Sequence, residues 1–131
     1  MELKQQLSDI FNELYRHLTN FIDMGKSWVK EAAKDAHPEY INLVNVKCGW
    51  AKSLNQKLSD LHTKMVKDID NKTQWDEDMM DMYDLLLSIK SLIITSVNLV
   101  PYTDIDEFYN YVYKVDTQLL TEITNTYHSY V

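Results

Sequence analysis

The chain has almost none of the residues that make turns. Two glycines and two prolines occur in 131 residues. Tight turns draw on both types, so an all-β fold is excluded and long helices are expected. A lone cysteine, Cys48, leaves no internal disulfide to form. The sequence carries no charged start followed by an apolar stretch and a small-residue cleavage site, so the expected setting is a reducing cytoplasm, that of a host cell if the chain is viral or phage-encoded. The abundance of Asn, Asp, Lys, Ile and Tyr suggests an AT-rich genome. The longest apolar run, 85–100, is broken by Lys90 and falls short of the roughly 20 residues a membrane helix needs, so no membrane contact is expected.

Positive charge is missing from one half. Residues 1–70 carry ten Lys or Arg against ten Asp or Glu, whereas residues 71–131 carry three Lys against ten acids. The net charge of −7 therefore belongs to the second half. Such a surface repels phosphate backbones, which argues against direct nucleic-acid binding and for a protein partner with a basic surface.

What the chain does have is apolar side chains at helical intervals, with 45% hydrophobic residues to form a core. Leu7, Phe11, Leu14, Leu18, Phe21, Gly25, Trp28 and Ala32 mark a first helix over about 2–35. Pro38 suits the first turn of a second, over 38–70, with its stripe at Ile41, Val44, Cys48, Ala51, Leu54, Leu58, Leu61, Met65 and Ile69. Thr73 and Asp76 form a capping pair for a third helix over 74–100, whose inner stripe is Trp75, Met79, Met82, Leu86, Ile89, Ile93, Val97 and Val100. Thr103 and Asp106 repeat the pair for a fourth over 104–130, lined by Ile105, Phe108, Val112, Val115, Leu119 and Ile123. The β-branched stretch 92–97 would also suit a strand, but the helical period continues on both sides of it. Four helices with short breaks predict one all-α domain over 1–131, an antiparallel up-down-up-down four-helix bundle.

Chemistry-bearing motifs are few. Only His62 of the four histidines falls within an apolar face; His17 lies at an edge, and no Glu-x-x-His or His-Glu-x-x-His occurs, so no metal ligands, catalytic residues or cofactor are assigned. Cys48, between Val44 and Ala51, reads as a small core residue. Gly25 and Gly49 lie nearly symmetrically about Pro38 and should reach similar heights, where Trp28 and Trp50 would pack over them or frame a ligand notch.

The run 85–100 is apolar on too much of its circumference for a helix with one solvated face. Leu85, Leu92 and Leu99 repeat every seven residues at about 100° from the inner stripe, and Leu87 and Ile94 lie on the other flank. Contiguous exposed apolar residues mark association sites, which makes Leu85, Leu92 and Leu99 the candidate partner surface. Asp76, Glu77, Asp78 and Asp81 supply acidic flanks, with Tyr109 and Tyr113 as aromatic contributors. The alternative is a central third helix covered by the fourth. The expected protein is a non-catalytic acidic module that binds another protein in the manner of an inhibitor, immunity protein or chaperone-like adaptor. A helical-bundle enzyme centred on His62 and a structural homo-oligomer, a homodimer in its simplest form, are the alternatives.

Overall fold

The computed structural model describes residues 3–35, 37–101, 105–114, 117 and 120–130, with the backbone alone at 105, 120, 129 and 130. These form five α-helices: α1 (Leu3–Ala33), α2 (Pro38–Lys67), α3 (Lys72–Thr95), α4 (Ile105–Lys114) and α5 (Leu120–Tyr130). A 3-10 turn, Val97–Leu99, follows α3, and no strand occurs among the described residues. The fold is all-α. The fourth helix expected as one piece over 104–130 is described as α4 and α5; Thr103, Val115 and Leu119 lie outside the described residues.

Helix ends follow local chemistry. Pro38 sits in the first turn of α2, where a missing N–H costs nothing. Thr73 does not cap α3. The side chain of Asn71 does, accepting from the Gln74 N–H at 3.2 Å, and the helix starts two residues earlier than expected. α3 also ends sooner, at Thr95. There the Thr95 and Ser96 hydroxyls donate to the carbonyls of Ser91 and Leu92, both at 2.6 Å, which competes with the helix's own ladder. The backbone tightens into the 3-10 turn, and Pro101 prevents resumption.

The core runs the length of the molecule and contains most of the expected stripes of α1, α2 and α3, together with Phe108 and Ile123; Ile69, Val97 and Val100 are only partly buried against it, and Ala32 and Ile41 fall outside it. α1 and α2 run in opposite directions: Phe11 stacks on His62 with centroids 4.5 Å apart, and farther along α1 Gly25 meets Cys48. α2 and α3 also oppose one another, with Lys64 bonded to Asp78 and Lys47 to Thr95. α4 reaches α1 through Phe108 on Trp28 and through Tyr111, whose hydroxyl donates to the His17 carbonyl. α5 meets α3 where the hydroxyls of Tyr83 and Thr124 lie 3.3 Å apart.

Gly25 and Gly49 do not face each other. A Cβ at Gly25 would lie 2.5 Å from Cys48 Sγ and 3.3 Å from Val44 Cγ1, whereas one at Gly49 would meet nothing within 4 Å. Hence Gly25 permits a close approach of α1 to α2, with the thiol in the space of the missing methyl, and no indole packs over either glycine. Trp28 instead contacts Phe21 and Phe108 edge-on, and Trp50 lies half-buried beneath Lys47.

The two glycines should therefore respond oppositely to alanine. In urea unfolding, Gly49→Ala is expected to stabilise by about 1 kcal/mol through helix propensity, and Gly25→Ala to destabilise, since overpacking costs about 1–3 kcal/mol. In a Cys48→Ala background Gly25→Ala should turn stabilising; a Gly25→Ala penalty that persists there would rule out the thiol contact as its cause.

Candidate interaction surface

α3 is apolar around most of its circumference, so the neighbours that cover it decide which side chains form the core. α2 lies along the flank that carries Asp78, Leu85 and Leu92. Leu92 is completely buried, Leu85 and Leu99 are half-buried against the core, and Leu85 lines a groove with Leu61 and Lys64 of α2. The expected exposed stripe at Leu85, Leu92 and Leu99 is therefore corrected: it is the α2–α3 seam. Leu99, moreover, lies beyond α3 in the 3-10 turn, where its carbonyl accepts from the Tyr40 hydroxyl.

The acidic cluster divides in the same way. Glu77 and Asp81 are exposed and Asp76 is half-buried, but Asp78 is completely buried and is no partner-facing charge. Lys64 Nζ reaches over the α2–α3 turn to donate to Asp78 Oδ1 at 2.7 Å, an attraction that holds the lysine ammonium above its usual pKa. Asp68 Oδ2 and Asp78 Oδ2 both lie buried without a donor. The nearby Asp78 carboxyl, as a hydrogen-bond partner, raises the Asp68 pKa above the ordinary carboxylate range; burial and the Asp78 charge add to the rise, and Lys64 and Lys67 oppose it.

On the other flank of α3 the side chains stay uncovered. Met80 is 68% exposed, Leu87 62% and Ile94 45%. Spaced seven apart, they fall in a row about 21 Å long. Near one end a cleft of about 280 Å³ opens between α3 and α5, lined by Asp76, Met79, Met80, Tyr83 and Tyr127. The charge of Asp76 is felt at Tyr127, whose phenol is pushed up by it, by burial and by a hydrogen bond to the same carboxylate. On α4, Tyr109 and Tyr113 are 57% and 68% exposed. Phe108 and Tyr111 turn toward α1, which leaves Tyr109 and Tyr113 on the other side of α4, about 100° and 140° round from Phe108.

Comparison with family models, curated proteins and solved structures gives no match. The surface is therefore assigned on its own geometry. Sequence periodicity placed Leu87 and Ile94 on this flank without selecting them, and it passed over Met80; the signal was their shared seven-residue interval. Over the helical stretch Lys72–Leu99 an 18-residue window has a mean hydropathy of 1.3, enough to cross a membrane by length and composition alone, and 33% of that window is buried. By length and composition the stretch therefore meets the threshold that the run 85–100, broken by Lys90, was expected to miss. A smaller apolar pair, Leu43 and Val46, is exposed on α2 near Lys47 and Trp50.

The histidines form no centre. His17, expected at an edge, is buried against Tyr111, and burial lowers its imidazole pKa despite Glu13 nearby. His62 is half-buried on the Phe11 ring and also shifted down by burial. Among the described residues no group of three or more His, Cys, Asp or Glu could hold a metal. An open cavity of about 420 Å³ lies where α1 ends, lined by Trp28, Tyr40 and Pro101 with Glu31, Asp35 and His37 at its edge.

The two flanks of α3 predict opposite mutational outcomes. Leu92→Ala should cost about 2–5 kcal/mol in urea unfolding, whereas Leu87→Ser should stay within about 0.5 kcal/mol; similar costs at both would refute the assignment of seam and surface. Asp68→Asn should stabilise the chain at neutral pH. A raised folded-state pKa contributes stability that is complete below the unfolded value and is lost as pH rises through the folded one. The gain over wild type should therefore vanish in acid, below the unfolded carboxylate pKa of about 3.9. A gain that persisted there would exclude the raised Asp68 pKa as its cause.

Proposed function

We propose that this chain is a non-catalytic acidic module that binds another protein, in the manner of an inhibitor, immunity protein or adaptor, in a cytoplasmic setting. Its architecture on this reading is an up-down-up-down four-helix bundle in which α4 and α5 are the two halves of the fourth helix. The opposed pairings of α1 with α2 and of α2 with α3 support that topology, as do the meetings of α3 with α5 at Tyr83–Thr124 and Asp76–Tyr127, which also run in opposite directions. The observation that carries the functional reading is the row Met80, Leu87 and Ile94, which stays exposed although the rest of the α3 apolar surface is covered. Exposed aligned apolar side chains favour association over solvent. On this reading the partner surface comprises the row in place of Leu85, Leu92 and Leu99, with Tyr109, Tyr113, Asp76 and Glu77 beside it.

A photocrosslinking residue placed singly at Leu87, Ile94 or Tyr109 in the source cell tests the reading. A discrete adduct with another protein is expected at these sites and none at Asn12, exposed on α1. No adduct at any of the three, or adducts only between copies of the chain, would overturn it.

A further inference from the structure

Resting on that protein-binding reading, we infer that the partner element is a basic amphipathic helix that lies along the outer flank of α3. The row Met80, Leu87 and Ile94 supplies the apolar line, at the spacing an apolar helix face presents in return. Acids border it in sequence order. Asp76 and Glu77 precede Met80 by one turn, Asp84 lies one turn from both Met80 and Leu87, and Asp106 precedes Tyr109 by one turn on α4. Glu77, Asp84 and Asp106 are exposed.

The cleft between α3 and α5 adds a specific recognition element. It combines two phenol rings, Tyr83 and Tyr127, with the carboxylate of Asp76 and the flexible Met80. Aromatic rings beside a carboxylate suit a lysine or arginine head, through cation–π attraction and charge pairing together. Lys90 lies on the same flank but is half-buried and engaged within the chain. The acid excess of the second half disfavours a second copy of the chain as occupant, because two such faces repel. It equally disfavours an anionic lipid surface.

The test uses the full chain with an 18-residue helical peptide of leucine and lysine having one apolar face, and its leucine–glutamate counterpart. Titration followed by amide chemical shifts should give saturable binding of the basic peptide, with the changes centred on α3 and α4 and at least tenfold weakening between 50 and 300 mM salt. Leu87→Ser with Ile94→Ser should weaken it tenfold or more. Asp84→Asn with Asp106→Asn should reduce both affinity and salt dependence. Leu43→Ser with Val46→Ser, on α2, should leave binding unchanged, and circular dichroism confirms that each variant folds. Equal binding of the acidic peptide, unchanged binding to the Leu87/Ile94 variant, self-association through those residues in sedimentation, or preferential binding of phosphatidylcholine–phosphatidylglycerol vesicles through them would each overturn the inference. If photocrosslinking yields a protein partner and the basic peptide fails to bind, the basic-helix assignment falls and the protein-binding reading stands. If neither gives a product, both fall.

Discussion

The roll of α3 about its own axis is the constraint on which the rest depends, and a buried carboxylate holds it. A helix apolar on one face has one way to sit against a core, but α3 carries large apolar side chains on three sides and periodicity leaves its roll open. Asp78 removes the freedom. It is completely buried and bonded to Lys64 of α2, and the Lys47–Thr95 bond marks the same seam about five turns farther along α3. Any roll that exposed Leu92 would break the Lys64–Asp78 bond, and one that kept Asp78 buried without Lys64 would leave a charge without compensation.

Covering one flank of α3 with α2 leaves the opposite flank to α4 and α5, and their cover is partial. Tyr83 is tied to Thr124, but Met80, Leu87 and Ile94 stay in water. The α1–α2 hairpin contributes from the far side. Gly25 lets Cys48 approach, so two long helices pack closely enough to bury Leu14, Leu18, Leu54 and Leu58 together in the core. A rigid hairpin of this kind suits a module whose other face is left free, because the uncovered side chains then keep fixed positions for a partner.

Acidic residues serve two unlike purposes along α3. Asp78, turned inward, fixes the fold by pairing with Lys64. Glu77 and Asp84 are exposed, Asp84 at the rim of the groove it shares with Lys57, Lys64 and Leu85, and they set the charge of the outer side of α3. Residues one position apart differ by about 100° around the axis, which suffices to separate a structural ion pair from a surface charge.

The sequence by itself determined the all-α class, the inner stripes of α1, α2 and α3, the Pro38 start of α2 and the acidic second half, because helical period, turn chemistry and charge are local properties of the chain. It also placed Leu87 and Ile94 opposite Leu85 and Leu92. Only the tertiary structure decided which of those flanks is covered, that Gly25 faces Cys48 and not Gly49, that His17 is more deeply buried than His62, and that Asp78 lies inside. Periodicity assigns each side chain an angle about its own helix axis; where the neighbouring helices stand around that axis follows from contacts between residues far apart in the chain.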